Sequence, residues 1–228
     1  MKLVKWDELP ENMKNEEVRY YYDILMKNKN SIFFKRFFDV LLSIILIVIL
    51  SPVMLIISVM IKLDSNGPVL FKQERVTQYG MKFKIFKFRT MVVNAEQLGT
   101  QVTVKNDSRV TTIGKSLRKY RLDELPQIFN IFKGELSFVG TRPEVYKYVK
   151  RYSEDMMATL LLPAGVTSEA SINFKDEEKM LDMSLNIDND YVEKVLPLKM
   201  KHNLDYLKKF NYFYDIKVMI KTLIAVVS

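Results

Sequence analysis

The chain has 228 residues, enough for one domain with a real core and a membrane element. Thirty-five Lys and Arg against 27 Asp and Glu leave a net charge of +8, which suits an anionic partner: a phosphorylated substrate, a lipid headgroup or nucleic acid. There is no Cys and a single histidine, His202, which excludes a disulfide framework, a thiolate metal site and any site needing two imidazoles.

Residues 1–34 are polar, charged and tyrosine-bearing (Tyr20, Tyr21, Tyr22), and read as an N-terminal extension, a short amphipathic helix or a partly ordered arm. A membrane element over 35–62 follows. From Val40 to Ile61 the chain holds only apolar residues, Ser and one Pro. As a helix of about 22 residues it would extend ~33 Å, about the thickness of a bilayer's hydrocarbon layer. A plain spanning helix is the simplest reading. Two features favour a bent segment that enters and leaves the same leaflet. Ser51-Pro52 falls near the middle, where proline removes an amide donor and crowds the preceding turn. Positive charge also flanks both ends, with Lys35 and Arg36 before and Lys62 after, whereas spanning helices show a one-sided bias. Lys35 reads as a headgroup-level anchor. Asp39 beside lipid needs a partner, and Arg36 three residues earlier is the natural one.

The remaining chain, 63–228, reads as one domain. Asn66-Gly67-Pro68 marks a turn. Val69–Gln73 and Lys82–Arg89 read as two strands around Tyr79-Gly80. In the second strand Phe83 and Ile85 point one way and Phe86 and Phe88 the other, which requires a bulge or burial on both faces. Glu96 to Asp107 reads as a loop, and Ile113 to Arg121 as a short basic helix. Asp123-Glu124 then stands at a helix start, with Asp123 as its cap, Pro126 in the first turn and Lys133-Gly134 as the stop. From Tyr191 onward apolar and basic residues interleave, a pattern that core helices and interfacial helices both give.

An Asp-Glu pair at a helix start is by itself most simply a cap. It also suits phosphate chemistry. A carboxylate attacking phosphorus must be ionised and needs the phosphate charge neutralised. Arg118, Arg121 and Arg142 supply guanidinium forks for that, and Glu124 is a candidate ligand for a hard divalent cation.

Several blocks, in order, place this string in a wider pattern: Lys35-Arg36-Phe37-Phe38-Asp39; the apolar run broken at Ser51-Pro52; Gly67 to Gln73 with Arg75; Phe86-Lys87-Phe88-Arg89-Thr90-Met91; and Arg118 through Leu122-Asp123-Glu124-Leu125-Pro126-Gln127 to Gly140-Thr141-Arg142-Pro143. Together they resemble the bacterial sugar transferases of the monotopic polyprenyl-phosphate phosphoglycosyl transferase superfamily, in their minimal form. The resemblance implies an α+β, mainly helical fold. It has a re-entrant helix-break-helix, a small β-hairpin and amphipathic interfacial helices.

The activity it implies is transfer of a phospho-sugar from a UDP-sugar to undecaprenyl phosphate with release of UMP. This is the first membrane step of capsule, O-antigen, exopolysaccharide or glycoprotein assembly. Asp123 is then the nucleophile that carries the phospho-sugar, Glu124 assists with Mg²⁺, and Arg75, Lys87, Arg89, Arg118 and Arg142 contact phosphate or anchor the fold. Lys35, Arg36, Asp39, Ser51 and Pro52 form the membrane anchor. The setting is the cytoplasmic face of the bacterial inner membrane. The partners are the bilayer and the two substrates, a homo-oligomer being compatible and nucleic acid not expected. Two positions depart from the family's pattern: Thr141 replaces a proline, and Pro163-Ala164 stands where an Arg-Pro pair is usual. The alternative is a non-catalytic membrane scaffold of a polysaccharide assembly complex.

Overall fold

The computed structural model describes residues 3–95, 107–174 and 187–227. The loop expected over Glu96 to Asp107 therefore lies, except for Asp107, outside the described residues. The molecule is mainly helical, with two small two-stranded sheets.

Helix α1 (Glu16–Lys27) starts where Asn15 accepts a hydrogen bond from the Val18 amide at 2.8 Å, with Glu16 and Glu17 in its first turn. Val18, Tyr21, Tyr22 and Leu25 recur at helical spacing and are all buried. They join Leu9 and Met13 in the largest core cluster, with Ala158, Leu161, Leu204, Leu207 and Phe210. The N-terminal residues are thus part of the globular core rather than an arm. The signal in the sequence was the i, i+3, i+4, i+7 set, hidden by the exposed Tyr20 beside it.

Helix α2 (Lys29–Asp64) is 36 residues long and runs through Pro52 without interruption. No non-helical residue separates its two halves, so the bend expected at Ser51-Pro52 has the form of a kink within one helix and not of a break. Pro52 has no amide to offer Val48, and the Ser51 hydroxyl donates to that carbonyl instead, at 2.9 Å. Its buried residues lie in two groups, Ile32, Lys35, Asp39 and Ser43, then Met54, Ile57 and Ile61. Between them no side chain is buried, and Val48, Ile49 and Val53 are exposed. It is the one helix, among the described residues, long and apolar enough to cross a membrane.

Strands β1 (Leu70–Val76) and β2 (Lys82–Phe88) pair antiparallel in a one-to-one register from Leu70↔Phe88 to Val76↔Lys82, so there is no bulge. Both faces of β2 are covered instead. Phe83 and Ile85 pack on Ile131 and Leu136, while Phe88 packs on Met54, Ile57, Ile61 and Leu117. The basic helix α3 (Thr112–Lys119) follows, then α4 (Gln127–Lys133). Asn130 of α4 is fully buried. Its amide donates to Lys84 O at 2.9 Å and accepts from the Phe86 N–H at 2.9 Å, tying the helix to β2.

Strand β3 (Ser137–Val139) pairs in parallel with β4 (Gly165–Thr167). The chain crosses so tightly here that a Cβ on Gly165 would stand 2.1 Å from the Gly140 nitrogen, which only glycine avoids. The short α5 (Tyr146–Val149) lies in the connection, and α6 (Glu169–Asn173) follows β4.

Near the C-terminus come α7 (Ile187–Asp190), one turn of π-helix (Tyr191–Val195), α8 (Leu196–Lys208) and α9 (Tyr212–Val227). The last two helices differ in what they bury. Helix α8 buries Leu196, Met200, Leu204 and Leu207, whereas α9 exposes Phe213, Ile220, Leu223 and Ile224.

Candidate active site

The carboxylate pair lies on a single 3-10 turn, Leu122–Glu124, and not at a helix cap. Arg121 adopts a left-handed conformation (φ 53°) that turns the chain out of α3, and α4 begins only at Gln127. Positive potential at the pair therefore comes from side chains rather than from a helix terminus. Leu122 and Leu125 bracket the pair and pack against the cluster of Met54, Ile57 and Ile61. This holds Asp123 and Glu124 beside the second half of the apolar helix.

Glu124 is the most tightly held group. Its Oε1 accepts from Arg142 Nη2 at 2.6 Å and from Lys87 Nζ at 2.9 Å. Burial penalises its charge, but Arg142 and Lys87 outweigh that and keep its carboxyl far below the ordinary range. Lys87 shares this one counter-ion with Arg142, and burial pushes its pKa down against the pull of Glu124. Asp123 is half-buried. Burial raises its pKa, Lys87 opposes the rise, Glu124 adds to it and Arg118 again opposes it. Of two adjacent carboxylates, one is locked as an anion and the other is poised, as acid–base and nucleophile pairs require.

Arg75, at the end of β1, donates to Gln73 Oε1 at 2.7 Å and to Pro143 O at 3.2 Å, next to Arg142. Arg118 stands in the last turn of α3, within electrostatic reach of Asp123. Five of the expected residues thus converge with Asp123: Glu124, Lys87, Arg142, Arg75 and Arg118. Arg89 does not join them. It is buried at the C-terminal end of α2, where its guanidinium donates to Ser65 O at 2.7 Å, Asn66 O at 2.6 Å and Ile61 O at 3.4 Å. It caps the last carbonyls of that helix. His202 packs edge-on to Phe174, with ring centroids 5.7 Å apart.

The anchor residues are placed differently from the sequence expectation. Lys35 is 3% exposed and not at headgroup level. Its ammonium donates to Asp215 Oδ2 and to Val139 O, both at 2.6 Å. Arg36 does not pair with Asp39. Its guanidinium donates to Ile131 O (2.7 Å) and Phe132 O (2.8 Å) at the end of α4, and Asp39 accepts from the Phe138 amide at 3.2 Å. All three fasten α2 to the globular domain rather than to lipid. The globular domain offered Lys35 a carbonyl and Asp215, Arg36 two carbonyls at a helix end and Asp39 an amide, and satisfying these outweighed a local i, i+3 pair.

Asp215, Glu144, Tyr191 and Lys199 escaped the sequence reading. Asp215 carried a signal, as the one carboxylate in the apolar helix α9. Glu144, directly after the Arg142-Pro143 pair, carried none beyond its place in the chain. The two positions that depart from the family's pattern adjoin each other, since Thr141 O accepts from the Gly165 amide at 2.8 Å, two residues past Pro163.

A convergence of half-buried cations on one carboxylate of an adjacent pair, set beside a long apolar helix, makes a site suited to anionic groups. The family profile described as bacterial sugar transferase matches residues 30–228, and the chain belongs to that family. It is 35% identical over 199 residues to the UDP-N-acetylgalactosamine-undecaprenyl-phosphate N-acetylgalactosaminephosphotransferase of Aeromonas hydrophila, covering 86% of this chain and 44% of the relative. It is 33% identical over 216 residues to the UDP-glucose:undecaprenyl-phosphate glucose-1-phosphate transferase of Escherichia coli (strain K12), covering 93% and 44%. With the putative undecaprenyl-phosphate N-acetylgalactosaminyl 1-phosphate transferase of Bacillus subtilis (strain 168) it shares 38% identity over 122 residues, covering 54% of this chain and 68% of the relative. The chain thus spans less than half the length of the first two relatives.

Proposed function

We propose that this protein is a phosphoglycosyl transferase that moves a phospho-sugar from a UDP-sugar to undecaprenyl phosphate and releases UMP. The observation that carries this reading is the split carboxylate pair. Glu124 is locked by Lys87 and Arg142, Asp123 is free of such an ion pair, and the flanking Leu122 and Leu125 rest on the apolar helix. The activities for which the relatives are named support the choice of substrates.

The chemistry runs in two displacements. A carboxylate oxygen of Asp123 attacks the phosphorus that bears the sugar. A new P–O bond forms, the bond to the bridging oxygen breaks, and UMP departs with that electron pair. A phosphate oxygen of undecaprenyl phosphate then attacks the same phosphorus. The acyl–phosphate bond breaks, Asp123 regains its carboxylate and a lipid-linked diphosphate sugar results. Lys87, Arg118 and Arg142 offset the phosphate charge, and the guanidiniums do so in fork geometry.

Mg²⁺ fits the donor set. Lys87 and Arg142 both occupy Oε1 of Glu124, which leaves Oε2 for a metal. No group of three or more carboxylates or imidazoles occurs among the described residues, so substrate phosphate and water would have to complete the shell. Bound there, Mg²⁺ would neutralise diphosphate charge.

The helix α2 reads as re-entrant. Its first half is fastened through Lys35, Arg36 and Asp39, and its second half through Met54, Ile57 and Ile61, to one globular domain, while no side chain from Ile44 to Val53 is buried. A spanning helix would need those attachments on opposite sides of the bilayer. The domain then lies on one side of the bilayer, and the Lys and Arg residues flanking both ends of α2 favour the cytoplasmic side. Cysteines replacing Lys29 and Lys62, both exposed, are expected to label from that one side. Labelling from opposite sides would end the re-entrant reading.

The deciding experiment is Asp123→Asn in the full chain, with undecaprenyl phosphate, Mg²⁺ and a panel of UDP-sugars. UMP release and covalent capture of labelled phospho-sugar are expected to vanish while membrane insertion persists. Undiminished UMP release would refute the proposal. A wild-type chain inert toward every donor, yet retained by an assembly complex, would favour the scaffold.

A further inference from the structure

A second buried cluster of charges lies behind Arg142. Glu144 and Lys199 are 7% and 4% exposed. Tyr191, also buried, donates its hydroxyl to Glu144 Oε1, and Lys199 Nζ donates to the Tyr191 oxygen at 2.9 Å and stands 3.5 Å from Glu144 Oε1. The Tyr191 ring rests on Tyr148, with centroids 4.7 Å apart. A buried ion pair is a poor means of stabilising a fold, because well-packed apolar residues of similar volume do as well or better. This cluster therefore calls for a role beyond packing.

The main chain indicates that role. The Val76 amide donates to Glu144 O at 3.0 Å, and Arg75 donates to Pro143 O at 3.2 Å. Residues 143 and 144 are thus strapped to β1 on one side. The Glu144 side chain is pinned to the C-terminal helices on the other. Arg142, two residues before Glu144, is the cation bonded to Glu124. Tyr191 and Lys199 reach Glu144 from the π-turn and α8, respectively. Single π-helical turns recur at functional sites, because they re-aim side chains within a helix.

We infer that Tyr191 and Lys199 are positioning residues for the donor's diphosphate: through Glu144 they fix the strap 142–144 and hold the Arg142 and Arg75 guanidiniums where a nucleoside diphosphate binds. This rests on the transferase reading above. The C-terminal helices thereby set the affinity for the nucleotide donor, although they supply no group to the reacting atoms.

The test uses the full chain in lipid nanodiscs. Tyr191→Phe removes one hydroxyl and keeps the ring stack. The double variant Glu144→Gln/Lys199→Met removes both members of the pair together, at the cost of the carboxylate that favours the charge on Arg75, and it carries the test if the single variant fails to fold. UDP binding is measured by calorimetry, and KM is measured separately for donor and acceptor. A shift of the Arg142 guanidinium by a fraction of an ångström is expected to weaken UDP binding and raise donor KM by about tenfold, with acceptor KM unchanged. A merely structural role would lower kcat by reducing the folded fraction and leave both KM values and UDP affinity alone. That result, in either folded variant, would overturn the inference. A wild-type chain that binds UDP but releases no UMP from any donor would sink the transferase reading, with the UDP comparison still deciding the positioning role. A wild-type chain that binds no UDP would sink both.

Discussion

Replacing Lys35 by Met separates two accounts of the helix α2. An anchor reaching for headgroups would sit in water and lipid phosphate, and its loss would change stability by no more than about 0.5 kcal/mol. In the structure Lys35 is instead buried, with its ammonium 2.6 Å from both Asp215 Oδ2 and Val139 O. Methionine keeps the length of the side chain and removes the charge. Asp215 then retains the Tyr206 hydroxyl at 2.6 Å and no cation. Breaking a buried pair from one side costs about 3–5 kcal/mol. For a chain of this size that corresponds to a fall in melting temperature of about 6–20 °C. Thermal unfolding in detergent micelles, followed by circular dichroism, measures it. The companion variant Lys35→Met/Asp215→Asn removes the orphaned anion and is expected to recover part of the loss. A Lys35→Met protein melting within 2 °C of the wild type, a margin set at about the effect of 1 kcal/mol, would refute the reasoning.

Two further outcomes follow from the site. Arg89→Met is expected to cost about 3 kcal/mol of stability, because three backbone carbonyls lose a charged donor, while donor KM stays within twofold of wild type; a large rise in donor KM at unchanged stability would return Arg89 to the substrate. The pKa of Asp123 is raised in the folded protein, so the ionised nucleophile is lost, as pH falls, at a higher pH than for an ordinary aspartate. Lys87→Met removes a cation that favours the ionised form, so the acid limb of the kcat/KM profile is expected to move to higher pH; movement to lower pH would contradict the assigned electrostatics.

Much of this site was legible in the sequence because its chemistry is written in short blocks. Lys87 lies in a strand whose apolar neighbours announce it, and Asp123-Glu124 stands between leucines that have to be buried. What stayed hidden was partner choice. Lys35, Arg36 and Asp39 sit within five residues and satisfy every local rule for an anchor, yet each bonds to groups about 95 to 180 positions away. Spacing along a helix says which side chains share a face. It cannot say which distant carbonyl or carboxylate that face will meet. The same holds for Pro52, where a neighbouring hydroxyl offsets a defect that the proline alone predicts. It holds also for Glu144, whose partners come from α8 and the π-turn.

The hold of Asn130 on β2 has a consequence for solubility as well as for placing α4. A two-stranded ribbon leaves its outer backbone groups open, and open edges recruit further strands from neighbouring molecules. Proteins held to a bilayer meet one another at high local density, where such recruitment is fastest. By filling the outward Lys84 carbonyl and Phe86 amide with a side-chain amide, the molecule leaves those two groups nothing to offer a neighbour's strand.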